Sequence, residues 1–199
     1  MKIIFATGNK DKMREIRAIL ADLNIEIFSM KEVNVKAEAE ENGTTFTENA
    51  VIKAKDIAGK VEDAIVMADD SGLVVDALNG EPGIYSARYM GEDTSYRIKN
   101  ANIISRLDGV PVEERTARFA CAIAAVMPDG TVFTTEGAIE GYIGYEERGE
   151  GGFGYDPIFM VPELGCSTAE LTDEAKNAIS HRGRALKAMK VKLQEVLGK

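Results

Sequence analysis

The sequence predicts a mixed α/β fold. Short continuous apolar runs recur along the chain, as in strands buried on both faces. Amphipathic stretches with apolar residues at helical spacing stand between them. The two kinds of element mix without strict alternation, which points to a mixed central sheet flanked by helices. Ile3 to Ala6 is the first apolar run, followed by turn chemistry at Thr7-Gly8-Asn9 and then by Met13, Ile16, Ile19 and Leu20 at helical spacing. Ile25 to Phe28 reads as a second strand. Residues 31–43 carry no period and end in the acidic run Glu38-Ala39-Glu40-Glu41-Asn42-Gly43, which reads as a mobile loop. Thr45 and Glu48 have capping-box spacing ahead of a helix whose stripe is Phe46, Ala50, Ala54, Ile57 and Val61. Asn49 and Lys53, four apart, project from one side of it.

Ala64 to Ala68 is a further buried strand, expected to stop at an acidic turn, Asp69-Asp70-Ser71-Gly72, before strand character resumes at Leu73 to Leu78. Asn79 to Gly83 reads as a loop and Thr94 to Leu107 as a helix. Ala117 to Ala125 alternates, and Pro128-Asp129-Gly130 turns it into a hairpin with Thr131 to Thr135. A glycine-rich stretch runs from Gly137 to Gly154. The chain then closes with a helix capped by Ser180, with His181 and Arg182 in its first turn and Leu186, Met189, Leu193, Val196 and Leu197 on one face.

Composition bounds the function. The 199 residues are 45% hydrophobic, enough for one large domain or two closely joined lobes and too apolar for a disordered chain. The net charge of −9 argues against broad, sequence-independent binding to nucleic acid. An anionic small ligand stays compatible with it, because local basic residues can outweigh the global field. Cys121 and Cys166 are the only cysteines and neither has a CxxC partner, so they read as reduced thiols of a cytoplasmic protein. No segment reads as a signal peptide or a membrane span.

Five segments could carry chemistry. The loop Thr7-Gly8-Asn9-Lys10-Asp11-Lys12, between strand and helix, could offer helix-start N–H groups and a lysine to phosphate, yet it lacks the Walker pattern and is a weak signal alone. Asp69 and Asp70 at a strand end suit Mg²⁺, which prefers oxygen ligands and keeps several waters, and a carboxylate there could activate a water for attack on phosphorus. One glutamate of the acidic run could join them: Glu41, with Glu40 in reserve. Gly151-Gly152-Phe153-Gly154-Tyr155-Asp156-Pro157 is equally compatible with a loop that stacks a flat base on Phe153, with Asp156 accepting from a ring N–H, and with a hairpin whose aromatics pack in the core. In Lys176-Asn177-Ala178-Ile179-Ser180-His181-Arg182 the only histidine stands at a helix start, where a neutral ring is favoured, and Arg182 could recognise phosphate or carbonyl oxygens.

Together these segments resemble the inosine triphosphatase family, the house-cleaning dITP/XTP pyrophosphatases. The resemblance rests on Thr7-Gly8-Asn9-x-x-Lys12, Phe46-x-Glu48-Asn49-Ala50, Ala68-Asp69-Asp70-Ser71-Gly72-Leu73, Pro82-Gly83-x-Tyr85-Ser86-Ala87-Arg88, Gly151 to Pro157 and Ser180-His181-Arg182, in order along nearly the whole chain. It implies one domain over residues 1–199, built of two lobes on an elongated mixed sheet with a deep cleft between them. It implies hydrolysis of ITP, dITP or XTP to the monophosphate and pyrophosphate, dependence on Mg²⁺, and a homodimer. Carried over by residue, Asp70 is the general base and a metal ligand, Glu41 the other ligand, and Asp69 supports the metal. The loop from Thr7 to Lys12, Lys10 and Asp11 included, with Lys53 and Ser71, holds the triphosphate. Phe153, Gly154, Tyr155, Asp156, Lys176, His181 and Arg182 form the base pocket, where donors would favour the C6 carbonyl of hypoxanthine and xanthine over the amino group of adenine. A nucleotide sensor without hydrolysis and a nucleotide or sugar-phosphate transferase are the competing classes.

Overall fold

The structure, a computed structural model, describes residues 1–198. Its strands are β1 (Lys2–Phe5), β2 (Ile27–Ser29), β3 (Ala64–Val75), β4 (Thr116–Val126), β5 (Val132–Ile143), β6 (Phe159–Val161) and β7 (Cys166–Ser167). They form one seven-stranded sheet in the order β2-β1-β3-β4-β5-β6-β7. β1 pairs in parallel with β2 and β3, whereas β6 pairs antiparallel with β5 and β7, so the sheet is mixed as expected. The helices are α1 (Lys10–Leu20), α2 (Phe46–Ala58), α3 (Tyr96–Arg106), α4 (Asp173–Ile179) and α5 (His181–Leu197). Among the described residues no helix is long and apolar enough to cross a membrane.

The chain divides into two compact units. The first holds Met1–Asp70, Cys121–Gly137 and the segment from His181 on; the second holds Ser71–Ala120 and Ala138–Ser180. In the first unit, strand alternation sorts the core into two sides. Ile3, Phe5, Ile65 and Met67 pack with Met13, Ile16 and Leu20 of α1 and Leu186, Met189 and Leu193 of α5. Ile4, Ala6, Val66 and Ala68 pack with Ala50, Ala54 and Ile57 of α2. In the second unit Leu73 and Val75 join Ile103, Leu107, Ile139, Ile143 and Phe159, with the Phe119 and Phe159 rings 4.4 Å apart. Fully burying one such side chain is worth about 1.5–3 kcal/mol.

The structure corrects several sequence expectations. Asp69-Asp70-Ser71-Gly72 is not a turn: β3 runs unbroken from Ala64 to Val75, and the acidic pair lies in mid-strand. Local turn propensity yields there to the ladder and to the buried partners of both carboxylates. The hairpin's second strand does not end at Thr135 but continues to Ile143 through Gly137 and Gly141. These glycines serve close approach. A Cβ on Gly137 would collide with the His181 carbonyl and come 2.6 Å from the Ala185 nitrogen, and one on Gly141 would collide with the Met160 carbonyl. Thr45 caps α2 by accepting from the Glu48 N–H at 3.1 Å, but Glu48 reaches back to the Thr44 N–H at 2.6 Å rather than closing the box at Thr45. The acidic run is hydrogen-bonded near both of its ends. Asp56 accepts from the N–H groups of Glu38 (2.8 Å) and Ala39 (3.3 Å), and Asn49 Oδ1 accepts from Gly43 N–H at 2.9 Å.

Candidate active-site clusters

The first unit gathers charge around β3. Side chains of consecutive strand residues point to opposite faces, so Asp69 and Asp70 part company. Asp69, 2% exposed, lies on the side of α1 and α5. Its Oδ2 is 2.8 Å from Lys12 Nζ and accepts from Nε and a terminal N–H of Arg182, both at 3.3 Å. Arg182 also grips Glu15 of α1, and both are buried. Burial alone would raise the pKa of Asp69, but Lys12, Arg182 and Lys53 together overcome it and hold the carboxyl well below the usual range. Burial works against the Arg182 charge in the same way, and Asp69 and Glu15 reverse it, so its pKa lies above the ordinary value.

Asp70 lies on the α2 side. Its Oδ2 accepts from Asn49 Nδ2 and its Oδ1 from Lys53 Nζ, each at 3.2 Å. Lys53 Nζ also stands 3.3 Å from Glu41 Oε2, so one ammonium bridges Glu41 and Asp70. Burial raises the pKa of Asp70; Lys53 opposes the rise, Glu41 adds to it, and the net direction is up. Burial disfavours the Lys53 charge, but attraction to Asp70, Asp69 and Glu41 carries its pKa above the ordinary value. Neighbouring carboxylates are thus driven in opposite directions, the pattern that separates a fixed anion from a proton acceptor.

The loop after β1 is arranged differently from the phosphate loop its sequence suggests. Asn9 caps α1 with its own side chain, Oδ1 accepting from the N–H groups of Asp11 (2.8 Å) and Lys12 (3.1 Å). Thr7 Oγ1 accepts from Asn9 N–H at 3.2 Å. Helix-start donors assigned to phosphate are therefore occupied by Asn9. What the loop presents is exposed Gly8, with open space where a Cβ would stand, and exposed Lys10. Asp11 pairs with Arg14 at 3.2 Å. Ser71 follows Asp70 in β3 and is half-buried.

Glu41, half-buried and paired, meets Asp70 through Lys53, while Glu40 is exposed. That favours Glu41 of the two. Among the described residues no three acidic, cysteine or histidine side chains come together as a metal cage. Asp69, expected to support the metal, lies with Lys12 and Arg182.

The second unit holds the aromatic loop, and its polar side chains are largely engaged with one another. Asp156, 3% exposed, accepts through Oδ2 from Lys176 Nζ (2.7 Å) and from Phe153 N–H (2.8 Å), and through Oδ1 from Thr168 Oγ1 (2.9 Å). These protein donors fix the carboxylate that the sequence assigns to a ring N–H. Lys176 Nζ also lies 4.6 Å from the centroid of Phe153, a cation–π contact under a half-buried ring. Tyr155 is buried, donates its hydroxyl to Ser86 O at 2.7 Å, and has a pKa pushed up by desolvation, so it acts as an anchor of the loop. The sequence left Asn49, Glu15 and Thr168 out of the site. For Asn49 a signal existed: a carboxamide beside the apolar stripe of α2, one turn before Lys53. Nothing local marks Glu15 or Thr168.

The comparisons with known proteins agree with one another. A model described as the Ham1 family matches residues 3–192. The dITP/XTP pyrophosphatase of Exiguobacterium sibiricum is 48% identical over 198 residues, covering 100% of both chains, and that of Bacillus subtilis is 47% identical over 94% of this chain and 93% of its own. Among solved structures, a HAM1 protein from Coxiella burnetii aligns with a TM-score of 0.88 at 39% identity, and the Staphylococcus aureus Ham1 protein with 0.87 at 38%, each over 98% of this chain and 99% of the other.

Proposed function

This chain belongs to the Ham1 family, and from that premise we propose that it hydrolyses non-standard purine nucleoside triphosphates, ITP, dITP and XTP, to the monophosphate and pyrophosphate. The observation that carries the reading is the split between Asp69 and Asp70. Asp70, with raised proton affinity and only partial compensation, is the general base that takes a proton from the attacking water as the α–β phosphoanhydride breaks. Lys53, already bridging Glu41 and Asp70, steadies both carboxylates. Glu41 and Asp70 would hold Mg²⁺, since two carboxylates plus substrate phosphates suffice for this ion. Mg²⁺ bound there would neutralise charge on the phosphate oxygens. Asp69 holds Lys12 and Arg182 in place, and Lys12, partly exposed, faces the triphosphate with Gly8 and Lys10.

The base falls to the Phe153–Asp156 loop, which offers a ring to stack on and is kept rigid by Lys176 and Asp156. His181, Lys176 and Arg182 are the donors assigned to a purine carbonyl. A donor set of this kind leaves the amino group of adenine unmatched, and unmatched buried polar groups discriminate strongly. Membership of the family also supports a homodimer located in the cytoplasm. The deciding experiment is a panel of nucleoside triphosphates with monophosphate and pyrophosphate both quantified, with and without a chelator. Stoichiometric inosine monophosphate and pyrophosphate from ITP, lost on chelation, is the expected result. Equal kcat/KM for ITP and ATP would remove the base assignment, and full activity under chelation would remove the metal.

A further inference from the structure

The aromatic loop rests on one face of α3. Tyr96 and Asn100 lie four apart and so share that face. The Tyr96 ring stands edge-on to Tyr155, centroids 5.2 Å apart. Gly154 has a φ of +69, and a Cβ there would come 3.6 Å from the Tyr96 ring. One turn on, Asn100 is 1% exposed and donates Nδ2–H to the Gly154 carbonyl at 3.3 Å and to Glu147 Oε1 at 2.8 Å. Its Oδ1 is buried with no hydrogen-bond partner among the described residues.

That combination is informative. A buried amide oxygen without a partner disfavours the folded state, and leucine has nearly the same branched outline without the polar atoms. A position occupied for stability alone would favour the apolar side chain. What asparagine supplies that leucine cannot is the Nδ2 donor, and that donor fixes the Gly154–Tyr155 peptide, next to Phe153.

We propose that Asn100 is a specificity-determining positioning residue: by holding the Gly154 carbonyl it sets the plane of the Phe153 ring on which the purine stacks. The inference rests on the assignment of this loop to the base. It places the residue on α3, outside every motif that carries the family resemblance.

The test uses Asn100→Leu and Asn100→Ala. Both remove the donor, and the second, with its smaller side chain, guards against a clash that would unfold the first. Three quantities are read: Tm, kcat and KM for ITP and ATP, and the Kd of inosine monophosphate by calorimetry. Asn100→Leu is expected to leave Tm unchanged or higher while KM for ITP and Kd for the monophosphate rise about tenfold, the scale of one lost hydrogen bond. kcat should stay within about twofold, and the preference for ITP over ATP should narrow. Wild-type KM and Kd in both variants would overturn the proposal, as would a fall in Tm and kcat with the monophosphate Kd untouched. If the unmutated chain hydrolyses no ITP, the proposed activity fails, and the calorimetric arm still decides the role of Asn100. A wild-type chain that binds no inosine monophosphate overturns both.

Discussion

Asp69 and Asp70 are neighbours in the chain and opposites in environment. Asp69 faces α1 and α5, is sealed from water and is compensated by Lys12 and Arg182. Asp70 faces α2 and meets one ammonium, shared with Glu41, and one carboxamide. Both are desolvated, so burial does not separate them. The number of positive partners does: it holds the pKa of Asp69 below the ordinary value and leaves that of Asp70 above it.

The largest test of this contrast removes the proton acceptor. Asp70→Asn is expected to lower kcat for ITP by about 10³-fold, read as pyrophosphate release. Tm should hold or rise, because burial already opposes the Asp70 charge. A kcat within tenfold of the unmutated value would make Asp70 an ordinary ligand.

Asp69→Asn should act the other way, on stability. It removes the shared counter-charge of Lys12 and Arg182, and breaking a buried pair of this kind costs about 3 kcal/mol. The sign with pH follows from the lowered pKa of Asp69. Its ionised form adds stability above the unfolded carboxylate value of about 3.9, and that contribution is lost as pH falls toward the folded value. Urea midpoints of the two proteins should differ most near neutrality and converge in acid.

Lys53→Met gives a smaller and directional effect. Lys53 is the main influence lowering the pKa of Asp70. Without it the proton affinity of Asp70 climbs further, and the acid limb of the kcat profile should move to higher pH. The smallest effect concerns Cys121, on the Asp69 side, whose thiol is pushed up to about 12, first by burial and then by Asp69. Alkylation at pH 8 followed by mass spectrometry should label half-buried Cys166 well before Cys121.

Much of this was legible in sequence wherever a pattern is repeated by a period. The apolar runs at Ile3 and Ile65 announced buried strands, and the stripe from Phe46 to Ile57 announced α2. The pairing of Asn49 with Lys53 on one side of α2 was visible in their spacing of four. What misled was single-residue chemistry read locally. Asp-Asp-Ser-Gly has the composition of a turn, and the ladder of β3 together with its partners in α1, α2 and α5 keeps it extended. Gly137 and Gly141 suggested a loop, whereas they admit the backbone of α5 and of β6. The pairing of Arg182 with Asp69 and Glu15 could not be read either, because those partners lie 113 and 167 residues away and leave no local trace.

Those separations bear on how the molecule is made. Contacts between distant parts of a chain slow folding, since the intervening loop must close before they form. During synthesis the segment from Met1 to Asp70 leaves the ribosome long before Arg182 exists. Until α5 is complete, Asp69 has Lys12 as its strong counter-ion but not the guanidinium that shares its Oδ2. The Asp69 cluster is therefore completed only when α5 has been made, and a nascent chain stopped short of it carries every glycine and carboxylate of the early motifs with Asp69 incompletely neutralised.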